Sequence, residues 1–123
     1  MKSFIYSFSF FVAILSCHRK TTNQNFAAEQ AIPLCIQQRI DSIKQHPAGN
    51  PAAEINEYSY KNQTVYLISA PCCDQYSIAV DSVCNYVCAP SGGFTGRGDG
   101  KCVDFLEKAK FVQLVWKDER AKK

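Results

Sequence analysis

Apolar residues change rhythm several times along the chain, and each change marks an element. Phe4 to Leu15 (FIYSFSFFVAIL) is an apolar run broken only by two serines, shorter than the roughly 20 residues a membrane-crossing helix needs. Residues 18–31 (HRKTTNQNFAAEQA) lose all periodicity and read as a polar tether. Pro33 then opens a stretch in which Ile36, Ile40 and Ile43 recur at i, i+4 and i+7, the stripe of a helix. That helix ends at the breaker cluster His46-Pro47-Ala48-Gly49-Asn50-Pro51. Beyond it, Glu54–Tyr60 and Thr64–Ser69 are rich in aromatic and branched residues around Lys61-Asn62-Gln63, which predicts a β-hairpin. Tyr58 and Tyr60 share one face of its first strand, and Tyr66 and Ile68 share a face of the second.

Asn85–Ala89 and Phe111–Trp116 are two further strand candidates. Asp104-Phe105-Leu106-Glu107 fits a helix cap followed three residues later by Glu, and predicts a short helix before the last strand. Together these elements predict an α+β fold. An N-terminal helix packs on a small antiparallel sheet of three to four strands, stapled by disulfides and carrying a glycine-rich loop.

The first apolar run has the length and position of an export signal, with Lys2 as its positive flank. It closes in Ile14-Leu15-Ser16-Cys17, which resembles a bacterial lipobox. Ile14 is a poor residue for ordinary signal cleavage after Ser16, so acylation of Cys17 is the favoured reading over plain secretion. Each buried methylene of an acyl chain is worth about 0.8 kcal/mol, so two or more chains anchor a protein durably to a bilayer. The expected organisation is a signal peptide over 1–16, a lipid anchor and tether over 17–32, one domain over 33–117 and a charged tail over 118–123. The expected location is the bacterial cell envelope, facing the periplasm or the exterior.

The formal charge is +3, but the excess is confined to the two ends. Between Gln30 and Trp116 there are seven Lys/Arg and eight Asp/Glu, so the domain is near neutral and offers no nucleic-acid footprint.

Setting Cys17 aside leaves Cys35, Cys72, Cys73, Cys84, Cys88 and Cys102, an even set that in an exported chain reads as a disulfide framework. Zinc is disfavoured, because Cys-Cys and Cys-x3-Cys lack the Cys-x2-Cys knuckle. Geometry argues against two pairings. Neighbours Cys72 and Cys73 would close a strained ring, and Cys84 and Cys88 in a strand would stand about 13 Å apart. The remaining connectivities stay open. An extended Cys72-Cys73 would point its two side chains to opposite sides and hold two different neighbours.

From Gly92 to Gly100 there are five glycines in nine residues, which implies backbone at positive φ or in close approach to another segment. No hydrophobic strand leads directly into this loop and no long helix follows, so a phosphate cradle is not supported. Arg97-Gly98-Asp99 spells an integrin-type tripeptide and reads more simply as an internal turn. His18 and His46 are poorly placed to pair with a nucleophile, so no catalytic residue, metal or cofactor is expected.

The pattern Pro-Leu-Cys-Ile-Gln, Tyr-Ser-Tyr-Lys-Asn-Gln-Thr-Val-Tyr, Pro-Cys-Cys-Asp-Gln-Tyr and Cys-Ala-Pro-Ser-Gly-Gly-Phe-Thr-Gly-Arg-Gly-Asp-Gly-Lys-Cys resembles the DUF6970 family of small bacterial envelope lipoproteins. The likeness covers residues 33–117, with Cys84 outside its pattern. It implies a compact extracytoplasmic α+β domain and brings no activity, substrate or catalytic residue.

The expected function is a membrane-tethered binding or structural module whose partner is an envelope protein or small ligand. Its surface combines the turn Asp74, Gln75, Tyr76 with Phe94, Arg97 and Asp99 of the glycine loop. The alternatives are an inhibitor of a periplasmic hydrolase that inserts Phe94 or Arg97, and a thiol redox protein using Cys72-Cys73. Intact mass of the membrane-extracted protein should show acyl chains on Cys17 and six alkylations only after reduction. An unlipidated chain with free thiols would overturn the compartment reading.

Overall fold

The computed structural model describes residues 31–120. The expected export signal, Cys17, the expected tether through residue 30 and residues 121–123 lie outside the described residues.

Helix α1 (Leu34–Lys44) follows Pro33, whose carbonyl accepts the first helical hydrogen bonds from Ile36 and Gln37. Five strands follow: β1 (Glu54–Tyr60), β2 (Gln63–Ile68), β3 (Ser77–Val80), β4 (Tyr86–Ser91) and, after the single turn α2 (Phe105–Lys108), β5 (Lys110–Lys117). They form one sheet in the order β4-β3-β2-β1-β5, with every neighbouring pair antiparallel. Four strands meander in sequence and β5 returns to the free edge of β1.

The hairpin β1–β2 turns on two residues, Lys61 and Asn62, both at positive φ (50° and 61°). That backbone matches the right-handed twist of the flanking strands, and asparagine tolerates it better than most residues. Gln63, expected in the turn, is instead paired with Tyr60 as the first residue of β2.

Two differences correct the expected architecture. The sheet has five strands where three to four were expected, because Ser77–Val80 forms a strand between β2 and β4. Four residues are too few for alternation to declare themselves in sequence, and pairing on both sides makes them a strand. The second correction concerns the helix. The principal backbone packing runs between strand neighbours, whereas α1 buries only Ile36 and Ile40 and leaves Leu34 exposed. Two buried residues make too narrow a stripe for a helical layer. The domain is therefore mainly a five-stranded antiparallel sheet with a short helix, not a helix packed on a sheet.

Strand alternation sends side chains to both faces, and each face gathers a buried cluster. Ile55, Tyr66, Ile68 and Val80 join Ile36 and Ile40 in one. Tyr60, Val65, Ala79 and Cys88 join Cys102 and Phe105 in the other. Two long-range disulfides brace the structure. Cys35–Cys84 links the first turn of α1 to the β3–β4 connection, and Cys88–Cys102 links β4 to the segment before α2. On the chain-entropy account, loops of these lengths contribute about 4 and about 3 kcal/mol.

Past β5, Asp118 is 2 % exposed and holds the Arg120 guanidinium at 2.8–2.9 Å. Arg120 also donates to the carbonyls of Lys44 and His46, closing the open end of α1.

Asp104 precedes α2 as expected, yet its side chain makes no cap hydrogen bond. Its carboxylate accepts instead from the Tyr60 hydroxyl at 2.6 Å and pairs with Lys108 and Lys61. The hydrogen bond from Tyr60, then that from Lys108, hold Asp104 well below its ordinary 3.8, at about 2. A carboxyl depressed on folding adds stability that is fully present above its unfolded value and is lost as pH falls from 3.8 towards about 2. Tyr60→Phe should lower the melting temperature at neutral pH and flatten the drop across that acid window. Thermal melts at several pH values check this, and an unchanged acid profile would contradict it.

Candidate functional site

The Pro71–Tyr76 turn and the Gly92–Gly100 loop lie at the same end of the sheet, where Ser77 at the start of β3 pairs with Ser91 at the end of β4, and they meet backbone to backbone. Gly92 lies against the Gln75 carbonyl and the Tyr76 Cα, and Gly93 lies under the Tyr76 ring. A Cβ on Gly93 would come within 2.6 Å of that ring. Inside the loop, Gly96 donates to the Gly93 carbonyl at 3.0 Å and Gly98 to the Gly92 carbonyl at 3.1 Å, forming a compact knob. Gly98 lies directly on the Ala89 carbonyl of β4, to which Asp99 also donates at 3.0 Å. Gly92, Gly93, Gly96, Gly98 and Gly100 all have φ between 71° and 91°, a region that side chains disfavour.

The turn corrects the expected cysteine geometry. Cys72 and Cys73 are bonded to each other, not to different neighbours. The expectation rested on an extended dipeptide. Cys73 instead takes a left-handed φ of 56°, and Gln75 donates to the Cys72 carbonyl across the turn. Bending the backbone brings the two side chains to one side. The pair is exposed, as are Asp74, Gln75 and Tyr76.

The sequence-proposed surface residues fare differently. Tyr76 is 49 % exposed with its ring on Gly93, and Phe94 is 96 % exposed at the tip of the knob. Arg97 is exposed, and among the described residues its guanidinium makes no ion pair or hydrogen bond. Asp74 is likewise an exposed side chain of the turn. Asp99 is engaged inside the loop. Its carboxylate accepts from the Tyr86 hydroxyl and from the Lys101 backbone, and Lys101 lies over the Tyr86 ring at 4.9 Å. Tyr86's hydrogen bond to Asp99 pushes its own hydroxyl up to about 12 and pulls the carboxyl below its usual range. Tyr86 through Asp99 and Tyr76 through Gly93 both contact the glycine loop. Tyr86 is not among the expected surface residues, its only signal in the sequence being a place near the start of a strand candidate.

The model of a family described as a domain of unknown function, DUF6970, matches residues 41–118. The chain belongs to that family. No curated protein and no solved structure matches it. Both the cysteine turn and the glycine loop of this DUF6970 domain fall within the matched residues, while Cys35 lies before them.

A second polar feature of the DUF6970 sheet also went unnoticed in the sequence. Glu57 is 5 % exposed on the face shared with Ile55, and accepts from Gln113 Nε2 at 2.7 Å. It lines a pocket of about 600 Å³ with Tyr66, Thr64, Gln63, Asp81 and Ser82. Burial, then the Glu57 charge, raise the Tyr66 hydroxyl above its ordinary value. Asp81 is occupied by the Val83 and Asn85 amides. The signal was present in the period-two spacing from Ile55, which places Glu57 inward. Among the described residues, no three His, Cys, Asp or Glu side chains converge as metal ligands, and no helix is long and apolar enough to cross a membrane.

The two kinds of glycine separate by experiment. Gly96 has open space around it, so Gly96→Ala should cost only its left-handed backbone, about 1 kcal/mol. A Cβ on Gly98 would overlap the Ala89 carbonyl, so Gly98→Ala should cost about 3 kcal/mol or more. Denaturant titration of both variants measures the difference, and equal costs would refute the close-approach role.

Proposed function

We propose that this domain is a rigid protein-binding module of the bacterial cell envelope, tethered to a membrane through acylated Cys17, with Tyr76, Tyr86, Phe94 and Arg97 as its contact face. The observation that carries this reading is Phe94, a large apolar side chain 96 % exposed on a loop that glycine packing and the Cys88–Cys102 bond hold in place. Aromatic and arginine side chains dominate binding energy where proteins meet, and a pre-ordered loop avoids the entropic cost of ordering. Arg97 supplies an exposed cation, without an ion pair among the described residues, suited to a partner carboxylate.

The compact turn from Gly93 to Gly96 favours this reading over a hydrolase inhibitor, whose inserted segment has to lie extended in a cleft. The lipobox-like Ile14-Leu15-Ser16-Cys17 supports the tether, and the near-neutral domain leaves adhesion to the bilayer to the anchor.

A photo-reactive residue at position 94, in the full chain in its native envelope, should yield one discrete protein adduct. The same residue at Gln38, exposed on α1, should yield none. Arg97→Ala should reduce the position-94 adduct roughly tenfold, the loss of one charge-assisted contact, with the melting temperature unchanged. Equal labelling from both positions, or unfolding of Arg97→Ala, would overturn the assignment of this face.

A further inference from the structure

We infer that Cys72–Cys73 is a reversible dithiol–disulfide switch, reduced by a dithiol donor, whose state sets the position of the Tyr76 turn against Gly92 and Gly93. The three disulfides of the domain are not equivalent. Cys35–Cys84 and Cys88–Cys102 join segments 49 and 14 residues apart, and Cys88 and Cys102 are buried. Cys72–Cys73 joins neighbours, closes no loop of chain and connects no two elements, so it adds nothing to the scaffold through chain entropy. Both its cysteines are exposed, whereas Cys35 and Cys84 are partly buried and Cys88 and Cys102 buried, so an attacking thiolate reaches Cys72–Cys73 most readily.

The ring nonetheless fixes a particular shape. Cys73 holds a left-handed φ of 56° that an unbridged cysteine disfavours, and the Gln75 amide bonds back to the Cys72 carbonyl. The residues this bend delivers are the ones that touch the glycine loop, Gln75 by its carbonyl and Tyr76 by its Cα and ring. Opening the ring frees Cys73 to leave the left-handed region, and the Gln75–Tyr76 contact with Gly92–Gly93 loosens with it.

The exchange balances without further reactants. One thiolate of the donor attacks the sulfur of Cys72 or Cys73, breaking their bond and forming a mixed disulfide. The donor's second thiolate then displaces the protein sulfur. Two electrons pass to the cysteine pair, the donor becomes a disulfide, and the two released thiolates equilibrate with solvent protons. The link to binding rests on the contact face proposed above, but the switch is measured without any partner.

The full chain is titrated with dithiothreitol, alkylated and peptide-mapped, with amide hydrogen exchange followed at each step. Cys72 and Cys73 should be alkylated together at a reductant concentration at least tenfold below that needed for Cys35, Cys84, Cys88 or Cys102. At that step, exchange should rise in residues 72–78 and 92–98 and stay unchanged in β1 and β2, and oxidised glutathione should reverse it. Cys72→Ser/Cys73→Ser should show no reductant-dependent exchange over the same range. Simultaneous reduction of all three bonds, earlier reduction of a long-range bond, or unchanged exchange at 92–98 would each overturn the switch. A missing position-94 adduct would leave it standing.

Discussion

The covalent return from β4 to the start of α2 decides what covers one whole face of the sheet. Cys88 sits in the middle of an edge strand, and its partner Cys102 lies just before Phe105. A chain leaving β4 therefore cannot drift into solvent. It has to double back over the strand it has just left, and the segment between can do so only if its backbone lies almost in contact with β4. Gly98 on the Ala89 carbonyl is that contact. Once the chain is turned, Phe105 falls between Tyr60 and Tyr58, with ring centroids 4.9 and 5.4 Å away, and the Tyr60 hydroxyl finds Asp104. The aromatic cluster, the ion pairs around Asp104 and the exposed knob all depend on that one return.

The opposite face carries its own covalent tie, the Cys35–Cys84 bond from α1 to the β3–β4 connection. Two helical isoleucines reach the sheet, and the Asp118–Arg120 pair ties the end of β5 to the last carbonyls of α1. Glu57 survives burial there because Gln113 on the neighbouring strand donates to it. The two faces thus divide the work. One carries the Cys88–Cys102 bond and the close glycine packing beside it, and presents aromatic side chains outward. The other carries the Cys35–Cys84 bond and a short helix, with a polar niche around Glu57.

Much of this was legible from residue order. The hairpin was written in two runs of branched and aromatic residues around Lys61-Asn62, and α1 in three isoleucines at helical spacing, because both signals arise from local periodicity. The glycine loop was legible as a place of close approach, though not what it approached. β3 was invisible because four residues are too few to show alternation, and Ser77–Val80 becomes a strand only by pairing with β2 and β4 on its two sides. The Cys72–Cys73 bond was not legible because an extended dipeptide forbids it, and one left-handed residue, Cys73, is enough to reverse that geometry. Asp104 looked like a helix cap, since the sequence places Glu107 at the right spacing but cannot say that Tyr60 arrives from another strand. Of the candidate face, Phe94 and Arg97 were legible as loop residues, Asp99 proved to be engaged by Tyr86, and Tyr86 itself came from the fold alone.

The Cys35–Cys84 bond also determines how the domain carries mechanical load. Cys35 lies in the first turn of α1, so a pull on the N-terminal end passes through sulfur to Cys84 and bypasses everything between the two residues. The hairpin β1–β2 and strand β3 lie inside that closed covalent loop and bear no tension. From Cys84 the load runs through the short stretch of β4 to the knob that carries Phe94. A partner held at the knob and a tether fixed at the N-terminal end would be joined by a nearly direct covalent line, and the sheet would hang beside that line, unstretched.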